Sequence, residues 1–265
     1  HRCTTTLSLP AMMQFVLAEQ ARQPRDVSSM RVIFAGGDAV PVPLQERTRQ
    51  MLGCVMVEGL AQTETGPTIC NPAARPKLGS LGTANPGVEL RLVDPVTRRD
   101  VAVDEPGELL VKSPAVCAGY WQNPDATAAA FDDGWFRTGD LVSRDADGFY
   151  WFRGRLKEII IRGGSNISPQ EVEEALYTHP GVLEAAVVGS PHDVWGEIVI
   201  ALVTRRPGAT VSESELREHA RATIADYKVP ERILFVPEMP KTATGKVHRR
   251  VLREQLGTLL AARPT

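Results

Sequence analysis

Thr63 and Glu64 stand side by side in the polar, glycine-bearing stretch Glu58-Gly59-Leu60-Ala61-Gln62-Thr63-Glu64-Thr65-Gly66. A hydroxyl and a carboxylate so placed suit a phosphate and a hard cation. The hydroxyl donates to a phosphate oxygen, and the carboxylate holds magnesium. Asp140 closes Arg137-Thr138-Gly139-Asp140, and one carboxylate can accept from both hydroxyls of a ribose. Lys246, in Thr244-Gly245-Lys246, sits on a turn from which an ammonium can reach into a cleft and stabilise charge on a carboxylate or phosphate. Each also has a plainer reading. Polar turn residues commonly bond their own backbone, and most lysines are solvated, here among Lys241, Arg249 and Arg250.

A fourth stretch runs Gly154-Arg155-Leu156-Lys157-Glu158-Ile159-Ile160-Ile161-Arg162-Gly163-Gly164-Ser165-Asn166. Residues 159–161 are β-branched and read as a short buried strand. Gly163-Gly164 breaks it, because adjacent glycines accept backbone angles closed to other residues. Ser168-Pro169-Gln170-Glu171 follows as a capping box with proline at the first helical position. Composition changes on either side of Lys157, which marks a hinge between two domains.

The elements that must position these residues fall into three textures. Residues 9–21 read as a helix with Met12, Met13, Val16 and Leu17 on one side. A strand at 30–34 ends in Gly36-Gly37-Asp38, a helix covers 44–51, and a strand at 55–57 ends in the Thr63-Glu64 loop. Two α/β strands ending in polar, glycine-bearing loops predict a site at their carboxyl ends. After Pro76 come short strands at 88–93, 107–112, 135–141 and 149–152, a β subdomain expected to be a distorted barrel or meander. Beyond Lys157 the expected order is strand 159–161, helix 168–177, strands 183–188 and 198–204, helix 212–225 and strand 233–236. Ser212 and Glu215 form a second capping box there, and a basic stretch at 240–250 precedes a last helix. The expected fold is α/β plus α+β: residues 1–156 as part of a large domain (1–78 the α/β portion, 79–156 the β subdomain), and 157–265 as a small mobile domain.

The whole chain bounds the partners. Its 265 residues carry a formal net charge of -2 and 43% hydrophobic content. That balance lacks the basic stripe of a nucleic-acid binder. No apolar run approaches the ~20 residues needed to span a bilayer. Cys3, Cys54, Cys70 and Cys117 are scattered without zinc or disulfide spacing, so free thiols and a cytoplasmic setting are the default.

The order and spacing of the motifs say more than any one of them. Thr-Glu in a glycine-bearing loop, then Thr-Gly-Asp, then Gly-Arg-Leu-Lys-Glu with Gly-Gly-x-Asn, then Pro-Lys-Thr-x-Thr-Gly-Lys resembles the acyl-adenylate-forming superfamily, from Gly36 to about Leu252. That superfamily includes acyl-CoA synthetases, peptide-synthetase adenylation domains and firefly luciferase. The resemblance implies two steps. ATP and a small carboxylic acid give an acyl-adenylate and pyrophosphate; a thiol, usually of coenzyme A, then takes the acyl group and releases AMP. It places Gly36, Gly37 and Asp38 along the adenine and Glu58, Gly59 and Leu60 on its other wall. Thr63 falls on the phosphate-binding threonine, Glu64 on the magnesium-binding glutamate, Asp140 on the ribose-binding aspartate and Arg155 on the arginine beside it. Lys157 falls on the hinge, and Lys246 on the lysine that bridges carboxylate and α-phosphate. Gly163 and Gly164 leave room for the pantetheine arm, and Asn166 orients substrate or phosphate.

Two departures stand out. The family loop before Thr-Glu commonly carries Tyr-Gly, whereas Leu60-Ala61 stands here and gives up aromatic stacking on adenine. The Ser/Thr/Gly-rich phosphate loop with its lysine does not occur, and the family places it before the point where this sequence begins. The expectation is therefore the C-terminal half of a synthetase, with its N-terminal half as a missing partner and weak adenylation alone. Gly163-Gly164-Ser165-Asn166 looks closer to fatty-acyl and aryl-acyl ligases than to peptide-synthetase modules. The small, partly polar 62–67 segment suggests an apolar acyl or aryl chain. A carrier-protein loader and a non-catalytic AMP- or CoA-binding relic are the alternatives, and self-association stays open.

Overall fold

The computed structural model describes residues 2–37, 40–243 and 245–261. The chain divides into two compact units, His1–Leu156 and Lys157–Thr265.

The first unit opens with β1 (Thr5–Ser8), α1 (Pro10–Arg22), β2 (Val32–Ala35), α2 (Val42–Leu52) and β3 (Val55–Gln62). The strand β1, too polar and short to be foreseen, lies parallel to β2, and β2 lies parallel to β3. Parallel neighbours require crossovers, which α1 and α2 supply. Met13 and Leu17 from α1 pack with Leu44 and Leu52 of α2 over Ile33, Ala35 and Met56 of the strands. Gly53, at φ 66°, ends α2 in the left-handed conformation that glycine adopts without strain.

β3 corrects the sequence expectation. Residues 58–62, read as loop, continue the strand and pair antiparallel with β4 (Gly66–Cys70), which pairs with β5 (Thr83–Ala84). One strand thus serves a parallel and then an antiparallel partner. Gly59 marks close contact rather than a turn: a Cβ there would stand 2.8 Å from the Ile69 carbonyl oxygen.

The rest of this unit is β6 (Glu89–Val93), β7 (Gly107–Lys112), α3 (Pro124–Ala130), β8 (Phe131–Asp132), β9 (Trp135–Arg144) and β10 (Tyr150–Arg155). The antiparallel order β10-β9-β7-β6 is a meander, with β8 attached to β9. Ile69, Leu81, Leu109, Val111, Val142 and Tyr150 form its core. The helix α3 was not foreseen, although Asn123 caps it by accepting from Ala126 N–H at 3.1 Å.

The second unit follows a 3₁₀ turn at Leu156–Glu158. β11 (Ile160–Arg162) and β12 (Ser165–Ile167) make a hairpin across Gly163 and Gly164, whose φ values of 55° and 84° are those of a two-residue primed turn. α4 (Pro169–Tyr177), β13 (Val182–His192), β14 (Gly196–Arg205), α5 (Glu213–Arg221), β15 (Arg232–Phe235) and α6 (Arg249–Ala261) complete it. β14 pairs with β13 on one edge and with β11 and then β15 on the other.

Strand periodicity splits this core into two. Ala185 and Val187 of β13, with Val199, Ala201 and Val203 of β14, face Val172 and Leu176 of α4 and Leu216 and Ala220 of α5. Ala186, Val188, Ile200 and Leu202 face Leu252 and Leu256 of α6. The sheet is buried on both faces, hence its near-continuous apolar runs. The expected capping box at Ser212 forms in full, with Glu215 N–H donating to Ser212 Oγ at 3.2 Å. The one expected at Ser168 does not: Ser168 makes no side-chain cap, and Glu171 pairs with Lys228 Nζ at 2.6 Å. The helix expected to reach Ala225 stops at Arg221, and Asp226–Lys228 form a 3₁₀ turn.

Asp145 fastens the turn before β10. Lys77 Nζ lies 2.6 Å from Oδ2, and Trp151 Nε1–H and Phe149 N–H each donate at 2.9 Å. Burial pushes this carboxyl up, but those donors and the Lys77 charge outweigh it and hold the carboxyl at about 2, below its ordinary 3.8. A depressed carboxyl contributes stability above its ordinary value and loses it as pH falls toward the folded value. Asp145→Asn is therefore expected to flatten the acid-unfolding curve between about pH 4 and pH 2, followed by tryptophan fluorescence, with little change in slope above pH 5.

Candidate active site

Asp140 lies within β9 and has no solvent-exposed surface. Gly139 before it, at φ 69°, bends the strand and offsets its pairing with β7. Three strands supply its partners. Gln62, the last residue of β3, donates from Nε2 to Asp140 Oδ2 at 2.7 Å and to the Thr138 carbonyl at 3.2 Å. Arg155, opposite Asp140 on β10, brings Nε to 3.0 Å from Oδ1. Thr138 Oγ1 accepts from Asp140 N–H at 3.0 Å and donates to the Leu109 carbonyl at 2.8 Å. A buried carboxylate needs donors and positive charge in place of water; Gln62 supplies a hydrogen bond to Oδ2 and Arg155 a cation beside Oδ1. The sequence pointed to Asp140 and Arg155. Gln62, read from sequence only as the start of the 62–67 segment, is a further member.

Thr63 and Glu64 occupy the tight turn between β3 and β4, with Gln62 opposite Gly66. Thr63 is exposed and Glu64 half-buried. Cys117 N–H donates to the Glu64 carbonyl at 2.7 Å, and Tyr120 OH donates to Glu64 Oε1 at 3.1 Å. Burial first, then the bond to Glu64 and its charge, push the Tyr120 hydroxyl up, so it stays a donor at neutral pH. No cluster of three or more acidic, His or Cys side chains able to hold a metal occurs among the described residues. One carboxylate fits magnesium, which keeps several waters and takes its other ligands from substrate phosphates. Tyr120 was missed from sequence; the signal was an aromatic in a polar segment beside the exposed Trp121.

Gly36 and Gly37 follow β2, and Gly36 lies beside Gly59 of β3, whose carbonyl oxygen would be 3.8 Å from a Cβ at Gly36. Asp38 lies outside the described residues. Glu58 is buried and accepts from Val40 N–H at 3.3 Å. Leu60 packs partly against the meander core.

The second unit holds the other candidates at separate places. Gly163 N–H donates to the Trp195 carbonyl at 2.8 Å, and a Cβ on Gly163 would stand 2.9 Å from the Trp195 ring. The free space expected at both glycines therefore belongs to Gly164, which has nothing within 4 Å of a Cβ. Asn166 is exposed on β12. A cleft of ≈ 420 Å³ beside this hairpin is bordered by Arg162, Ser165, Trp195, Arg217 and Tyr227. Trp195 went unremarked in the sequence, although a half-exposed tryptophan in a strand connection is itself a signal. Lys157 borders a second cleft, of ≈ 540 Å³, with Ser190, Glu197, Arg253 and Leu256.

Lys246 is exposed on the loop joining β15 to α6. Its basic neighbours are engaged: Lys241 with Glu184 at 2.7 Å, Arg249 with Glu173 at 2.6 Å, Arg250 with Glu254 at 3.5 Å. Among the described residues Lys246 has no such acid, so this exposed ammonium differs from the paired cations around it.

The first unit carries a parallel sheet ending in glycine loops and a buried aspartate held by three strands, and the second a sheet covered on both faces with a lysine that has no acid partner among the described residues. The chain belongs to the AMP-binding enzymes: the AMP-binding enzyme family matches residues 1–121, and the AMP-binding enzyme C-terminal domain matches residues 171–246. It is 39% identical over 257 residues to the indoleacetate–CoA ligase of Aromatoleum aromaticum, covering 96% of this chain and 50% of that protein. It is also 39% identical over 257 residues to the long-chain-fatty-acid–CoA ligase of Bacillus subtilis, covering 96% and 46%. The crystal structure of ATP-bound MatB from Rhodopseudomonas palustris superposes with a TM-score of 0.90 at 33% identity, covering 96% of this chain and 51% of that one. The chain thus spans about half the length of the curated relatives it matches. No helix among the described residues is long and apolar enough to cross a membrane.

Gln62→Leu leaves a fully buried Asp140 without one of its donors. It is expected to destabilise the chain by about 1–3 kcal/mol in urea unfolding, more than Leu60→Ala at the same strand end.

Proposed function

We propose that this chain supplies the C-terminal half of an ATP-dependent carboxylate–CoA ligase. The observation that carries the reading is the buried Asp140, fixed by Arg155 of β10 and by Gln62, the last residue of β3, which directly precedes Thr63-Glu64. That arrangement suits a ribose on Asp140 and the phosphates of the same nucleotide on Thr63. Glu64 would hold magnesium, steadied by Tyr120, and the metal would neutralise phosphate charge.

In the first step a carboxylate oxygen of the acid attacks the α-phosphorus, the bond to the bridging oxygen breaks, and pyrophosphate leaves. Two anions must meet, and the Lys246 ammonium offsets that repulsion as the transition state forms. In the second step the CoA sulfur attacks the acyl carbon, the bond to the AMP oxygen breaks, and AMP leaves. The second step has no use for Lys246. It needs a path for a thin thiol arm, for which Gly164 provides the open backbone, and the arginine- and aromatic-bordered cleft beside it suits the phosphates and purine of CoA. The small unit is proposed to turn about Lys157 between the steps. The proposed acid has an apolar aryl or alkyl body, as do indoleacetate and long-chain fatty acids. The CoA-suited cleft favours free CoA over a carrier-protein thiol.

The reading is tested by supplying synthetic acyl-adenylate and CoA and measuring acyl-CoA and AMP. Lys246→Ala, in the protein as its cell makes it, is expected to lower ATP–pyrophosphate exchange by about 10²-fold or more while leaving thioester formation within about threefold. Equal loss of both steps would refute the division of labour. Lys157→Pro, which fixes one torsion at the pivot, is expected to damage one half-reaction far more than the other; two unimpaired half-reactions would remove Lys157 from the mechanism.

A further inference from the structure

Arg249 stands three residues after Lys246, at the start of α6. The first turn of α6 holds two arginines and no acid, an arrangement the helix dipole disfavours. Acids from elsewhere in the fold answer it. Glu173 of α4, 7% exposed, takes Arg249 in a two-pronged pair, Nη1 to Oε1 at 2.6 Å and Nη2 to Oε2 at 2.9 Å. Arg249 Nη1 also donates to the Val187 carbonyl at 3.0 Å, and Val187 N–H donates to Glu173 Oε1 at 2.6 Å. The third side of the guanidinium faces the start of the unit: Nε lies 3.4 Å from Oε2 of Glu158, the residue after Lys157.

The Lys246 loop is compact and closed at its base. Lys241 and Val247 form a β-bridge, and His248 N–H donates to the Pro240 carbonyl at 2.8 Å. Thr242 N–H donates to the Lys246 carbonyl at 2.7 Å, and Lys246 N–H to Thr242 Oγ1 at 3.2 Å. A loop this short and internally bonded moves with its base, and Arg249 is where that base is bolted to α4, to β13 and to Glu158.

We propose that Arg249 is a positioning residue for Lys246, and that its contact with Glu158 fixes the lysine loop relative to the Lys157 turn. This rests on the role given to Lys246 above. The Glu173 pair already neutralises and buries the guanidinium, so it belongs to the fold. The Glu158 contact is longer and partly exposed, and such pairs add little stability. Glu158→Gln therefore separates positioning from folding.

In the protein as its cell makes it, Glu158→Gln is expected to keep its melting temperature within about 2 °C of the parent. ATP–pyrophosphate exchange should fall about tenfold or more through kcat, as misplacement of a catalytic group does, while thioester formation from supplied acyl-adenylate stays within about twofold. Arg249→Lys keeps the charge but loses the fork, and should lose more of the same half-reaction. Tryptic cleavage after Lys246 should accelerate in both variants, and that readout is independent of activity. Parent-like exchange in Glu158→Gln, or equal loss of both half-reactions, overturns the proposal. A parent protein inactive in both half-reactions instead overturns the ligase reading; unchanged cleavage after Lys246 then overturns the Arg249 proposal on its own.

Discussion

A carboxylate with no access to water is the constraint around which the first unit is arranged. Burying the Asp140 carboxyl requires partners in place of its hydration, and those partners come from separate strands. Gln62 reaches it because β3 runs on past its parallel partner, and Arg155 because β10 pairs with β9 at that residue. The close approach that lets β3 run on depends in turn on Gly59, which has no side chain to strike the Ile69 carbonyl. The Thr63–Glu64 turn is then placed by the same strand end that serves Asp140. Gln62, Asp140 and Arg155, far apart in sequence, are thus tied into one corner with the Thr63–Glu64 turn.

The second unit solves a different problem. It presents a glycine hairpin and a lysine loop from one small sheet, and both must be stiff. Burying β13 and β14 on both faces supplies that stiffness. The hairpin is held at Trp195 and the lysine loop at Glu184 and Glu173, each a contact to a strand or helix of the doubly covered sheet.

Much of this was legible in the amino-acid order, for reasons that differ by residue. Near-continuous apolar runs announced β13 and β14, and Gly163-Gly164 announced a break, because backbone freedom and burial leave local marks. The two capping boxes show where local marks stop. Ser212 and Glu215 cap each other, whereas Ser168 and Glu171 have the same spacing but Lys228 draws Glu171 away. The reading of 58–62 as loop failed similarly, since glycine and polar residues in a strand announce a turn until the partner strand is known. Gln62, Tyr120 and Trp195 went unnoticed because their importance lies in contacts across 78, 56 and 32 residues. The motif order identified the family, but the supports of each motif residue are non-local and leave no pattern within a motif.

The two-faced sheet of the second unit bears on how the chain is made. Synthesis runs from the first residue to the last, at about 5–20 residues per second. One face of β13, β14 and β15 can be covered as soon as β15 emerges, because α4 and α5 precede it. The other face, with Ala186, Val188, Ile200, Leu202 and Leu234, waits for Leu252 and Leu256 of α6. During that interval the nascent chain shows an oily surface to the ribosome exit and to any chaperone there. The lysine loop lies between β15 and α6, so its anchor at Arg249 and Glu173 forms only as that surface closes. A chain arrested before α6 would be both sticky and without a placed Lys246, which couples the quality control of this protein to its competence.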